Sequence, residues 1–304
     1  VKRTQAPARR QSWKSLYPFR SRYVKLRGMD YHFLDEGQGP PLVMLHGNPT
    51  WSFYFRNLVT AFRHDHRVLV PDHMGCGLSA KPDERRYGFR LADRVADMAA
   101  WIEGLGLRQK VTLVLHDWGG MIGLVWALLN LEKVSRIVLF NTAGFHPPGG
   151  KALPLRLRFV RNLGWIARPA VLYLNLFARA AIHMAPARPL APEVRSGLLA
   201  PYDRPAHRLA TYRFVTDIPL YPDDPGYGLV DFVEKGLGRL AGLPVLILWG
   251  NRDFVFDSDY LAAWRRFLPA ARVSVFENGG HYLLEDHPAQ VIAEIKRFFK
   301  HHPA

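Results

Sequence analysis

Short apolar runs alternate with amphipathic helical stretches along most of this chain, and that alternation limits the folds open to it. Pro41–His46 (PLVMLH), Val68–Pro71, Val111–Leu115, Ile137–Phe140, Val245–Trp249 and Val273–Phe276 each read as a strand. Val24–Leu26 and Tyr31–Leu34 read as a leading pair of strands. Helical spacing occupies Trp51–Phe62, Leu91–Leu105, Trp118–Asn130, Tyr260–Phe267 and Ala289–Phe299. In the second of these, Val95, Met98, Ile102 and Leu105 recur at intervals of three and four. Such a chain is expected to form a mostly parallel central sheet with helices on both faces. The alternation breaks once, over residues 145–230, which are rich in Pro, Arg and aromatics and show no strand. The expected organisation is a basic N-terminal extension (1–27), an α/β core (28–144 and 231–304) and an inserted helical cap (145–230) over one end of the sheet.

Composition places the chain among ordinary globular proteins, with 48% apolar and 22% charged residues. A single cysteine, Cys76, excludes an internal disulfide framework and a Cys-built zinc site. The uncharged stretch from Gly119 to Leu131 is too short to span a membrane. The N-terminus is basic but has no apolar core of the secretory kind, so a reducing, cytoplasmic setting is expected. Net charge is +15, and it is unevenly spread. Residues 1–27 carry nine Lys/Arg and no acid, and residues 151–213 carry eleven against Glu193 and Asp203. These two segments hold +18, which leaves the rest of the chain at −3. The bland reading of these segments is a solvated face that aids solubility; the sharper one is a docking surface for an anionic membrane or an acidic partner enzyme, which would give a peripheral location to a cytoplasmic protein. No nucleic-acid-binding signature accompanies the charge, so no nucleic-acid partner is expected.

Two glycine-rich segments match the loose dinucleotide fingerprint, Gly75–Ala80 (GCGLSA) and Gly236–Ala241 (GLGRLA). The fingerprint requires a strand, a turn and then a helix. Lys81-Pro82-Asp83 opens no helix after the first, and a strand follows the second instead of preceding it. No cofactor and no metal are expected.

The sharpest segment is Val114–Gly120 (VLHDWGG), where a strand runs into Asp117 and a helix starts at once. That is the setting of a nucleophile elbow, with Asp117 where many such folds place Ser. A Ser needs a base to become nucleophilic, whereas a carboxylate is already ionised at neutral pH. Attack on a saturated carbon gives an ordinary ester and expels a leaving group. The bland alternative is that Asp117 only caps the helix. A second segment, His46-Gly47-Asn48-Pro49, ends the third strand, where this class of fold supplies an oxyanion-hole N–H. Asn48 and Trp118 would supply the backbone donors, and their side chains add two neutral donors for a leaving anion. A third, Gly279-Gly280-His281, follows the last strand and offers His281 as general base. Asp253, after the preceding strand, would hold that imidazole in one tautomer. Asp257, Asp259 and His287 lie close in sequence and compete for these roles, while Asn141 occupies the other position open to an acid.

Together, His46–Ser52 (HGNPTWS), Pro71–Ser79 (PDHMGCGLS), His116–Gly120 (HDWGG) and Gly280-His281 resemble the haloalkane dehalogenases of the α/β-hydrolase superfamily. The resemblance covers about residues 28–300. Pro201–Asp203, Phe214–Leu220 and Asp253–Asp257 (DFVFD) make it most similar to the third subfamily, which includes the β-lactone decarboxylases of bacterial long-chain olefin biosynthesis. It implies an α/β-hydrolase fold with Asp117 as nucleophile, Asp253 and His281 as the orienting pair, and Asn48 with Trp118 as leaving-group holders. The implied reaction is displacement of halide from an alkyl carbon, with His281-activated water hydrolysing the ester. The alternative implied is conversion of a cis-3-alkyl-4-alkyloxetan-2-one to a cis-alkene and carbon dioxide. Epoxide hydrolysis, which would call for cap tyrosines aimed at Asp117, and a non-catalytic docking role are the remaining readings. The substrate is expected to be a hydrophobic small molecule with an alkyl chain, met by Leu172, Leu174, Leu176, Phe177, Ile182 and Met184 of the insert.

Overall fold

The computed structural model describes residues 12–303; residues 1–11 of the basic extension lie outside the described residues. Eight strands form one sheet: β1 (Arg22–Leu26), β2 (Met29–Glu36), β3 (Pro41–Leu45), β4 (Arg67–Pro71), β5 (Val111–His116), β6 (Val134–Phe140), β7 (Val245–Gly250) and β8 (Arg272–Phe276). Their spatial order is β1-β2-β4-β3-β5-β6-β7-β8. The β1–β2 and β2–β4 pairs are antiparallel, and every pair from β4–β3 onward is parallel. β3, β5 and β7 are buried along their whole length, as continuous apolar runs covered on both faces require. Successive residues point to opposite faces, so Val43 and Leu45 enter one core and Leu42 and Met44 the other.

Helices α1 (Arg56–Phe62), α2 (Leu91–Gly104) and α3 (Trp118–Leu129) precede β6, and α10 (Ser258–Phe267), α11 (Leu283–Asp286) and α12 (Pro288–His301) follow β7. The first core takes Met98 and Trp101 of α2, Ile122 and Val125 of α3 and Trp264 of α10. The second takes Leu58 of α1 and Val291, Ile295 and Phe298 of α12. The run Trp51–Phe62, read as one helix, is a 3-10 turn at Ser52–Phe55 that passes into α1.

Between β6 and β7 the described chain forms α4 (Leu155–Asn162), α5 (Gly164–Leu174), α6 (Leu176–Met184), α7 (Pro192–Leu199), α8 (Leu209–Thr216) and α9 (Tyr227–Gly236), with no strand. α9 crosses position 230 and packs on α3, so the return to the core begins inside that helix. Cap and core are tied together by Asp217 at the end of α8. Its carboxylate accepts hydrogen bonds from the Leu91 backbone N–H (2.7 Å) and from Arg90 (3.1 Å) at the start of α2. No helix among the described residues is long and apolar enough to cross a membrane.

Candidate active site

The parallel strands β3, β5, β7 and β8 release their chains at one end of the sheet, and the candidate residues gather in the loops there. Asp117 stands between β5 and α3 with φ 52° and ψ −126°, outside the conformations an L-residue ordinarily takes. Three bonds over-determine that turn. The Asp117 N–H donates to the Asn141 carbonyl (3.2 Å), and the Asp117 carbonyl accepts from the Gly120 N–H (2.9 Å) and the Thr142 hydroxyl (2.6 Å). The elbow also needs room. A Cβ on Gly119 would lie 2.1 Å from the Leu45 carbonyl oxygen, and one on Gly47 would lie 2.0 Å from the Asp117 carboxylate.

The Asn48 backbone N–H donates to Asp117 Oδ1 at 2.7 Å, and the Trp118 backbone N–H also faces the carboxylate. Oδ2 remains, 3.5 Å from His281 Nε2. On the far side of the ring, His281 Nδ1 donates to Asp253 Oδ2 at 2.6 Å. The Val255 backbone N–H donates to Asp253 Oδ1 at 2.7 Å and fixes that carboxylate in turn. All three side chains are buried. Burial pushes the Asp117 carboxyl upward against the His281 charge and the two backbone donors. Burial opposes protonation of His281, but the charges of Asp253 and Asp117 and the Asp253 hydrogen bond outweigh it and raise the imidazole above its ordinary pKa.

The residues that compete in sequence are elsewhere. Asp257 caps α10 and, with Asp259, holds Lys151 at the surface. His287 Nδ1 meets the Gln290 side chain. Asn141 bridges β6 to β7, donating to the Gly250 carbonyl and accepting from the Gly250 N–H. Gly75–Ala80 is a closed turn whose Leu78 N–H donates to buried Asp72, and the next helix begins only at Leu91.

Asn48, Asp117, Trp118 and His281 line a cavity of about 660 Å³ whose other walls are almost all apolar. Leu176, Phe177 and Met184 of the insert face it. Leu172, Leu174 and Ile182 do not: Leu172 and Ile182 pack into the two cores, and Leu174 is exposed. The amphipathic spacing of a cap helix serves two apolar surroundings at once, which sequence alone does not separate. The cap contributes no tyrosine to the walls among the described residues; Tyr260 and Tyr282 come from the core. That removes the feature on which epoxide hydrolysis would rest.

Four supporting groups escaped the sequence reading. The Thr211 carbonyl accepts from Asn48 Nδ2 (3.0 Å), so the cap orients the amide and occupies one of its two hydrogens. Phe214 packs against the Trp118 indole, with ring centroids 5.2 Å apart, and its ring lies 3.6 Å from the buried Arg94 guanidinium. His116 donates to the His281 carbonyl (2.9 Å) from beneath. The Thr142 hydroxyl holds the elbow. His116, inside the elbow segment, and Phe214, which opens the Phe214–Leu220 segment, stand within motifs the sequence singles out, though it assigns neither a role.

Residues 40–288 match the alpha/beta hydrolase fold family. The chain is 44% identical to a cis-3-alkyl-4-alkyloxetan-2-one decarboxylase of Shewanella oneidensis, over 93% of this chain and 89% of that one. It is 39% identical to a protein of the same name from Xanthomonas campestris, over 94% and 98% of the two chains. Among solved structures it resembles the haloalkane dehalogenase DatA of Agrobacterium tumefaciens, with a TM-score of 0.82, 26% identity, and 93% and 96% of the chains covered. The sheet order, the elbow and these likenesses agree: the chain belongs to the α/β-hydrolase fold family, as a haloalkane dehalogenase-like enzyme related to the cis-3-alkyl-4-alkyloxetan-2-one decarboxylases.

Proposed function

We propose that this enzyme converts a cis-3,4-dialkyl β-lactone to a cis-alkene and carbon dioxide, with Asp117 as nucleophile. One observation carries the reading. A buried carboxylate with one oxygen clamped by a backbone N–H and the other beside His281 lines an apolar cavity large enough for an alkyl substrate. Similarity to two decarboxylases over nearly the whole chain favours the lactone as the substrate.

The chemistry follows from that arrangement. Asp117 attacks ring carbon C4 from the side opposite the ring oxygen; the C4–O bond breaks and its electron pair leaves as a carboxylate. Neutral donors from Asn48 and Trp118 suit that anion. The new ester oxygen then stands anti to the carboxylate carbon across the C3–C4 bond. Carbon dioxide departs, the freed electron pair forms the C3–C4 double bond, and the Asp117 carboxylate is expelled unchanged. Inversion followed by anti elimination keeps the two alkyl groups cis. The cycle consumes no water and no proton. Asp253 and His281 keep an ordered, positively inclined group beside Asp117.

A haloalkane is the second reading, favoured by the Asn48 side chain and the Trp118 indole lining the cavity together with Asp117. There, ester hydrolysis needs water activated by His281. Purified protein offered a cis-β-lactone and a long-chain haloalkane separately decides between them. Alkene without halide release supports the lactone, and halide release without alkene overturns it. We further propose that the basic segments bring this apolar-substrate enzyme to an anionic membrane or an acidic partner.

A further inference from the structure

The described residues include thirteen exposed large apolar side chains, and eight of them fall between Leu155 and Leu176. That concentration is too local to be the ordinary scatter of surface leucines. α5 explains its shape. The helix turns Ala167 and Val171 inward, while Trp165 (79% exposed), Ile166 and Tyr173 (70% exposed) stand on the opposite side at helical spacing. α4 and α6 pack against α5 on either hand. Each of those neighbours carries exposed residues that also line the active-site cavity: Leu155 and Phe159 on α4, and Leu176 on α6. The apolar face and the mouth of the cavity are therefore one continuous surface.

Its charge is one-sided. From Lys151 to Pro192 the chain has seven Lys/Arg and no Asp or Glu. Arg161, Arg168 and Lys151 reach carboxylates on other segments, whereas Arg156, Arg158 and Arg179 pair with no carboxylate among the described residues. Exposed aromatic and aliphatic groups flanked by unneutralised cations match an anionic lipid interface. An acidic protein surface would be met by the cations but would leave Trp165, Ile166 and Tyr173 with nothing apolar to enter.

We propose that α4–α6 form an interfacial docking face for an anionic bilayer, seating the cavity mouth against the acyl region so that an apolar substrate enters without crossing water. The proposal rests on the apolar-substrate reading of the site, but its test uses binding without turnover, so either can fail alone. The chain of residues 1–304 is sedimented with phosphatidylglycerol/phosphatidylcholine vesicles and with phosphatidylcholine vesicles at low and high salt. Trp165→Ser/Tyr173→Ser removes apolar anchors, and Arg158→Ala/Arg179→Ala removes cations; none of the four lines the cavity. Expected are retention on the anionic vesicles only, loss at high salt, and weakening of about fivefold for each cation removed. Quenching of tryptophan fluorescence by brominated lipid should also weaken in the cation double variant, which keeps Trp165. Equal circular dichroism and equal turnover of a short soluble substrate check the fold. No retention at low salt, or unchanged retention in both variants, overturns the proposal. So does concentration-dependent self-association abolished by the apolar variant without vesicle binding, which would assign the face to a second copy.

Discussion

At Asp117 the backbone is held at φ 52° by three hydrogen bonds, while one carboxylate oxygen is held by Asn48 and the other is left facing His281 and the cavity. Asp117→Asn keeps the shape and removes the anion. It should lower turnover by about 10⁴-fold or more with an unchanged fold, measured on fresh protein checked by mass for deamidation. Near-normal activity would remove Asp117 from the mechanism. His281 separates the two reactions. With a haloalkane, His281→Ala should stop after the first step and leave an alkyl adduct on Asp117 detectable by intact mass. With a β-lactone, elimination frees Asp117 without a base, so the same variant should still release alkene. The pH dependence has a matching sign. The surrounding carboxylates outweigh burial and keep His281 protonated beyond its ordinary pKa of about 6.5. Ester hydrolysis needs the neutral ring, and in the ester the Asp117 charge is gone while the Asp253 charge and hydrogen bond still favour the imidazolium, so halide turnover should fall toward acid pH as the ring is protonated. Alkene formation should stay level across the same interval. Halide turnover that stays level toward acid pH would contradict the general-base role of His281.

At the scale of elements, the elbow depends on how closely α3 can approach β3. Gly119→Ala would set a methyl group 2.1 Å from a backbone oxygen that cannot swing away. Overpacking of that kind costs about 1–3 kcal/mol or more. A lowered melting temperature together with reduced activity is expected, and an unchanged melting temperature would show that the helix shifts freely. This junction also explains what was legible in the sequence. The strand–Asp117–Gly-Gly–helix run, the His46–Pro49 loop and His281 each sit at the end of an apolar strand, where local pattern dictates structure. The parallel sheet follows from the same alternation. What sequence did not reveal depends on contacts between distant segments. Thr211 meets Asn48 across 163 positions, and Phe214 reaches Trp118 from the cap. The insert was legible as helical, but the facing of each side chain was not. Leu174 and Leu176 are two positions apart and both are exposed, but only Leu176 also lines the cavity. The Asn175 left-handed turn between α5 and α6 redirects the chain there, breaking the helical period on which the expectation relied.

At the scale of the molecule, an antiparallel-edged sheet supplies rigid loop ends, and the cap supplies most of the apolar wall. The core fixes Asp117, Asp253 and His281, while Leu157, Val160, Phe177, Ala180 and Met184 of the cap define how much hydrocarbon can be accommodated. Chemistry and chain-length preference should therefore be separable. For saturated chains that fit the cavity, each added methylene should raise kcat/KM by about fourfold, corresponding to about 0.8 kcal/mol of burial. The rise should stop once the chain extends beyond the cavity of about 660 Å³. Ala180→Phe narrows the cap wall without touching the elbow. It should move the optimum to shorter chains and leave kcat on a short substrate near its original value. The measurement is kcat/KM across a homologous series of one substrate class, for both proteins. A flat series, or a preference for short or charged substrates in the unaltered protein, would mean that the cap wall packs for stability rather than for recognition.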